Sequence, residues 1–257
     1  MFQVNGRSGG ADAVRGGPGR GIVTAIVGGA SLITFPALLA AGLPPIVANA
    51  SNAVALTPGN FMGGLADLQR RPPWDRSFLG LLVVCVGGSA AGAVLLLMTP
   101  EKAFTAVVPL LIGFATVLFA QSGRIRDWIR IPSWRPGIVW FVPVAIYGGY
   151  FGAGMSVMLL ALLSLGRADD FRATNVLKNL LSGLTGVVAV VVFLLQGIVA
   201  WPPTLVMMAG ALVGGFLGGR LVRVLPPGVV RFVVIAVGSV LTLVYAWRYW
   251  LSAILRS

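Results

Sequence analysis

Along the chain, apolar residues gather into eight long runs, at about 21–42, 46–66, 77–98, 101–120, 137–164, 171–196, 202–222 and 228–251, with most of the Arg residues between them. Each run reaches or passes the roughly 20 residues that a helix needs to cross the hydrocarbon core of a bilayer. The pattern predicts an all-α integral membrane protein of about eight transmembrane helices.

The runs also repeat. Gly28, Leu38 and Gly42 recur 124 positions later as Gly152, Leu162 and Gly166, and Ser51, Asn52 and Gly63 recur 123 positions later as Thr174, Asn175 and Gly186. Trp74, Gly87, Gly88, Gly92 and Pro100 recur at a spacing of 127 as Trp201, Gly214, Gly215, Gly219 and Pro227. Duplicated halves with interrupted apolar segments in matching places are a mark of secondary transporters, whose substrate site lies between the repeats. The expected organisation is a polar Gly/Arg-rich leader at 1–20, a first repeat at 21–120, a basic interfacial linker at 121–136 and a second repeat at 137–257. Each repeat holds four helices, the first of them broken at glycine.

Composition agrees. The chain is 57% hydrophobic and only 10% charged, with a mean hydropathy of +0.93, whereas a soluble domain carries about 25% charge. Eight spans leave no room for a soluble catalytic domain in 257 residues. The net charge of +12 would suggest nucleic acid in a soluble protein. Here the Arg residues flank apolar spans, where they set orientation and meet anionic headgroups, so the bilayer is the expected partner and nucleic acid is not. Cys85 is the only cysteine, which rules out a disulfide within the chain. The run 21–42 followed by Ala48, Asn49 and Ala50 imitates a signal peptide, but it exceeds the roughly 7–15 residues of a signal core and its copy lies inside the chain.

The linker carries Arg124, Arg126, Arg130 and Arg135 beside Trp128 and Trp134, the mark of a segment at the membrane surface. Eight simple passes with the N-terminus inside would give the cytoplasm twelve cations and the outside six, counted from the sequence with Lys178 set apart. The second half alone gives the opposite vote. Either some of its Arg line a cavity, or a Gly-broken segment such as 137–166 turns back within the membrane and changes the number of passes. An even number of passes per repeat makes the halves parallel, an odd number inverted.

Lys178 falls within an apolar run, where a cation costs about 2.5–3.5 kcal/mol on insertion scales and commonly marks a substrate path. Asn175, Lys178, Asn179 and Ser182 stand at i, i+3, i+4 and i+7, one stripe of a helix. From Asp170, Lys178 lies about 12 Å along such a helix. The alternatives are that Lys178 snorkels to the interface or pairs with Asp169 or Asp170. The first repeat offers Asn49, Asn52 and Asn60 on a similar face, with Ala55 in the place of Lys178; Asn and Ser in membrane helices also serve as packing contacts.

Gly28 and Gly29, and Gly148, Gly149, Gly152 and Gly154, interrupt their spans at matching points. Breaks there would leave helix N-termini inside the membrane, whose unpaired N–H groups attract anions. Close helix packing is the alternative, and it accounts for Gly210, Gly214 and Gly218. The chain has no His, which excludes H-E-x-x-H metal sites and Ser/His or Cys/His catalysis. No carboxylate lies in mid-span and no G-x-x-x-x-G-K-[ST] loop is present, so a carboxylate relay and ATP coupling are unsupported. No enzyme activity, metal or other cofactor is expected. Export of an anion from a negative-inside cell gains about 2.3 kcal/mol per charge per 100 mV from the potential itself.

Three segments, GGASLITFPALLAAGLPPIVANASNAVAL from Gly28, ATNVLKNLLSG from Ala173 and LVGGFLGGRLVRVLPP from Leu212, together resemble the TauE/SafE family of sulfite exporters. The resemblance covers about 21–250. It implies a multi-pass permease of the bacterial inner membrane for sulfite, organosulfonates or similar small sulfur-containing anions. On this reading the anion binds between the repeats, held by Lys178, Asn175, Asn179 and neighbouring Thr174, with N–H groups near Gly28 and Gly154 and with Asn52 and Ser51 opposite. Rocking of the halves would expose the site to each side in turn. The rival is a non-transporting membrane subunit that packs with a partner protein. A homo-oligomer is left open.

Overall fold

The computed structural model describes residues 30–65, 76–128, 137–166, 171–221 and 227–251. Among the described residues the regular elements are all helical. They are α1 (Ser31–Ala40), α2 (Pro45–Leu65), α3 (Arg76–Met98), α4 (Glu101–Trp128), a 3₁₀ turn (Ile138–Trp140), α5 (Phe141–Tyr150), α6 (Met155–Gly166), α7 (Phe171–Leu195), α8 (Trp201–Leu221) and α9 (Pro227–Ala246), the last running into a π turn at Trp247–Leu251. Four of these helices hold stretches long and apolar enough to cross a membrane, at Phe78–Met98, Glu101–Gln121, Ala173–Leu195 and Phe232–Tyr249.

The distribution of side chains fits lipid outside and polar groups within. Leu79, Val83 and Leu95 of α3, Leu110 and Val117 of α4, Val191 of α7, Val206 of α8 and Phe232 and Leu243 of α9 are exposed, whereas Asn49, Ser51, Asn52, Thr57, Ser89, Thr174, Lys178, Ser182 and Thr185 are buried. Lipid offers no hydrogen bonds, so these groups are placed where neighbouring helices can supply them. Helices α2 and α7 carry four each and α3 carries Ser89; α2 also holds Asn60 and Pro58, and it falls outside the four most apolar helices despite its 21 residues.

α2 packs along α7, and the two run antiparallel. Gly186 meets Thr57, and one turn back Gly183 meets Phe61. α4 and α9 are likewise antiparallel, with Gly113 against Thr242 and Gly238 against Thr116. α3 lies alongside α5 in the same direction, because Gly80 meets Ile138, Gly88 meets Ala145, and Gly92 meets Ile146 and Tyr150. This seam is close: a Cβ added at Gly92 would stand 2.0 Å from the Ile146 carbonyl oxygen, and one added at Gly149 2.0 Å from that of Ser89. α2 also packs on α8, as α7 packs on α3; α1 packs on α9, as α6 packs on α4.

The apolar run expected at 137–164 is interrupted. α5 stops at Tyr150 and α6 starts at Met155, with the break stabilised by the Tyr147 hydroxyl donating to the Ala153 carbonyl at 2.6 Å. Gly152 (φ +77°) and Gly154 (φ +82°) lie in the left-handed region, which costs a residue with a Cβ about 1–2 kcal/mol. The matching break at Gly28 and Gly29 lies outside the described residues. At the basic linker, α4 continues as helix to Trp128, past the boundary at 120 expected from the apolar pattern.

Candidate functional site

A cavity of about 60 Å³ lies where α2, α7 and the α5–α6 break converge. One water needs about 10–15 Å³ of such space, so the volume suits a few waters or one small oxyanion. From α2 it is lined by Asn49, Asn52, Ala53, Leu56, Thr57 and Asn60, and from α7 by Ser182, Thr185, Gly186, Ala189 and Phe193. Both sets follow the i, i+3/i+4 rhythm of one helix face. The break contributes Gly148, Gly149, Phe151, Gly152, Met155 and Ser156, and Ser31 of α1 completes the lining. None of these side chains is acidic or basic.

Hydrogen bonds hold the lining in place. Asn49 Nδ2 donates to the Tyr150 carbonyl at 2.9 Å, tying α2 to the end of α5. The Thr34 hydroxyl donates to Asn52 Oδ1 at 2.5 Å, which occupies the acceptor and leaves the NH₂ group of Asn52 as the donor it can offer. Thr57 Oγ1 donates back to the Ala53 carbonyl at 2.7 Å. The hydroxyls of Ser156 and Ser182 are 3.2 Å apart across the α6–α7 contact, and the Ser89 hydroxyl donates to the Thr185 carbonyl at 2.7 Å. Asn49 Oδ1 is buried without a partner among the described residues. Because Met155 and Ser156 begin α6, its N-terminal end, carrying roughly half a positive charge, borders the cavity.

Of the residues singled out in the sequence, Asn52 lines this cavity together with Asn49, Asn60, Ser182, Gly148, Gly149 and Gly152. Ser51 is fully buried beside it but faces α8, where its Oγ accepts from the Ala200 N–H at 3.1 Å. Gly154 belongs to the break yet backs onto α4: a Cβ there would lie 3.4 Å from Ala115. Lys178 is 1% exposed and makes no hydrogen bond or ion pair among the described residues. It stands four residues, or about 6 Å of helical rise, ahead of Ser182, outside the lining set. Asn175, one turn before Lys178, has a buried Oδ1 without a partner among the described residues. Thr174 is buried and Asn179 half-buried on the same turns, and both have bonded partners. Gly28 and the acidic pair Asp169 and Asp170 lie outside the described residues.

The structure does not bring Lys178, Asn175 and Asn179 together with Asn52. The alignment of the halves equates Asn52 with Asn175, but antiparallel packing places equivalents at opposite ends of the α2–α7 seam. From the Thr57–Gly186 contact, Asn52 is level with about residue 191, roughly 24 Å of rise from Asn175. Sequence reading passed over Thr57, Ser156 and Thr185. Thr57 was within reach, since it extends the stripe of Asn49, Asn52 and Asn60, whereas Ser156 and Thr185 needed the fold.

Comparison with known proteins bears on the same segments. The family described as "Sulfite exporter TauE/SafE" matches residues 17–245. A "Probable membrane transporter protein" of Haemophilus influenzae is 29% identical over 230 residues, covering 86% of this chain and 88% of that protein. The "Probable membrane transporter protein YfcA" of Escherichia coli K12 is 28% identical over 227 residues, covering 86% and 84%. A "Probable membrane transporter protein ORF9" of a Sinorhizobium species is 28% identical over 204 residues, 78% of each chain. No solved structure gives a significant match. With that match spanning the α2 stripe, the glycine break and the α7 stripe alike, the chain belongs to the TauE/SafE sulfite exporter family of membrane transporters.

Proposed function

We propose that this protein is a permease, not an enzyme, that moves a small sulfur-containing anion, sulfite or an organosulfonate, across the bacterial inner membrane by alternating access between two four-segment repeats. The observation that carries the reading is the cavity of amides, hydroxyls and a helix N-terminus between α2, α7 and the α5–α6 break, with no carboxylate among the described residues of its lining. Donors without an opposing negative charge favour an anion. In this reading the Asn52 NH₂ and the Ser156 and Ser182 hydroxyls hold the oxyanion at the positive end of α6, where the N–H groups of Met155, Val157 and Met158 are already bonded to the Gly152 and Gly154 carbonyls. Lys178, with Thr174, Asn175 and Asn179 around it, forms a second station one turn away along α7 and supplies the positive charge.

The repeat relation is supported by paired contacts. α2 packs on α8 and α7 on α3, α1 on α2 and α6 on α7, α1 on α9 and α6 on α4; each is what a duplicated unit of four segments implies when α1 to α4 correspond to α6 to α9. Exposed apolar faces and the related bacterial transporters support placement in the inner membrane.

Flux of labelled sulfite and of taurine into proteoliposomes tests the reading. Saturable uptake above that of protein-free liposomes is expected for at least one of them, reduced about tenfold or more by Asn52→Leu or Lys178→Met. A well-folded protein that moves neither anion, or variants that transport as well as the parent, would overturn it.

A further inference from the structure

The geometry points to an inverted pair of halves with six full crossings, in which α5 and α6 form a hairpin that enters and leaves by one face, the end of α9 lying outside the cell and the linker after α4 in the cytoplasm. The inference rests on the repeat relation proposed above, but not on the identity of the cargo. It starts from helix directions. α2, α3 and α4 follow one another as alternating crossings, so α2 and α4 run the same way and α4 delivers the chain to one face, here called the linker face. α5 runs inward from it, parallel to α3.

If α5 and α6 together completed a crossing, α7 would start at the far face and run parallel to α2. It runs antiparallel. α6 must therefore return to the linker face, and its packing agrees: Met155 at its start meets Thr185 at 3.4 Å, Ser156 meets Ser182, and Leu159 and Leu163 share a cluster with Leu177 and Leu181 nearer the start of α7. α7, α8 and α9 then cross in turn. α1 follows the same plan from the other face, lying against α2 through the Thr34–Asn52 bond and the turn at 41–44.

Three crossings per half is an odd number, and odd numbers invert a repeat. An in-plane two-fold axis further requires helices that cross their own counterparts to do so near equivalent residues. The spacing of 123 equates Asn60 with Gly183, and Gly183 touches Phe61; the spacing of 127 equates Gly113 with Val240, and Gly113 touches Thr242. Both crossings fall within a turn of equivalence.

With the leader at 1–20 set aside, the charges agree in both halves. The linker face receives Arg70, Arg71 and Arg76, the four Arg at 124–135, Arg167, Arg172, Arg220, Arg223 and Arg231, whereas the opposite face receives Lys102, Arg248 and Arg256. The second half, which opposed the first under eight simple passes, now favours the same side. By the positive-inside rule the linker face is cytoplasmic. Lys178, seven residues into α7 and about 10 Å along it, lies in the cytoplasmic half of the membrane, whereas its counterpart Ala55, ten residues into α2, is reached from the other side. The duplicated fold thus carries Lys178, the one buried cation among the described residues, where an anion arriving from the cytoplasm meets it.

Single cysteines in a Cys85→Ser background, labelled in spheroplasts with a membrane-impermeant maleimide, test the arrangement. Lys102→Cys and Ser257→Cys are expected to label at least tenfold faster than Ser133→Cys and Arg167→Cys, and all four equally after permeabilisation. Residues 133 and 167 on opposite faces would overturn the hairpin and with it the inversion; both outside would overturn the sidedness. The otherwise unaltered chain gives a second measurement, since alkaline phosphatase fused after Ser257 is expected to be active and green fluorescent protein there to be dark, and the reverse would overturn the proposal. Neither measurement reads transport, so a chain with this topology that moves no anion would defeat only the permease reading.

Discussion

Alanine at Gly92 and at Gly87 puts the α3–α5 seam to a controlled test. Both glycines sit within α3, so each substitution gains the same helix propensity, about 0.5–1 kcal/mol. They differ in what the new methyl meets. At Gly87 there is nothing within 4 Å, whereas at Gly92 it would stand 2.0 Å from the Ile146 carbonyl oxygen and 2.8 Å from the Tyr150 nitrogen. A carbon and a carbonyl oxygen in close contact sit about 3.3 Å apart, so α3 and α5 must separate by more than an ångström. Both obstacles are backbone, and no rotamer change relieves them. Overpacking of this kind costs about 1–3 kcal/mol, which is also the predicted difference between the variants because the propensity gain cancels. At about 2–4 °C per kcal/mol for a chain near this size, Gly92→Ala should melt roughly 2–12 °C below Gly87→Ala. Cys85 is the only cysteine and is fully buried, so a thiol-reactive fluorogenic dye reads unfolding in detergent directly. Equal melting temperatures would refute the close α3–α5 packing.

Two further substitutions probe the cavity and the break. A Cβ at Gly186 would lie 2.5 Å from Thr57 Oγ1, so Gly186→Ala should destabilise the α2–α7 contact and Thr57→Ala should relieve it, with a coupling of about 0.5–3 kcal/mol in a double-mutant cycle; additive melting shifts would show that the two do not touch. Gly154→Ala forces a Cβ onto a residue at φ +82° and should cost about 1–2 kcal/mol, while Gly59→Ala, helical and with nothing within 4 Å, should cost nothing measurable. Equal thermal shifts for this pair would remove the left-handed turn from the break.

Much of the fold is legible in the apolar pattern because crossing a bilayer dictates helix length. The runs at 77–98 and 101–120 correspond to α3 and the apolar part of α4, and the cluster Gly148 to Gly154 coincides with the gap between α5 and α6. Burial of Lys178 follows from its place in an apolar run. Helix direction was not legible, since an alignment of two segments carries no sign. That is why Asn52 and Asn175, equivalent in sequence, were expected to face one another and instead lie far apart along the α2–α7 seam. The side of a glycine is equally hidden: Gly152 lines the cavity while Gly154, two residues on, rests against Ala115.

The polar stripe of α2 also constrains biogenesis. As a nascent segment leaving the translocon, it must shelter Asn49, Ser51, Thr57 and Asn60 before the surfaces that cover them exist, whereas Asn52 already has Thr34. Thr57 rests against Gly186, Ser51 accepts from Ala200, and Asn49 reaches Tyr150, all translated about 100 to 150 residues later. Until the ribosome has passed the start of α8, α2 has no complete protein neighbourhood, and unsatisfied amides and hydroxyls are costly in hydrocarbon. The surroundings of α2 are thus completed only by residues of the second half, although each half reads in sequence as a separable module.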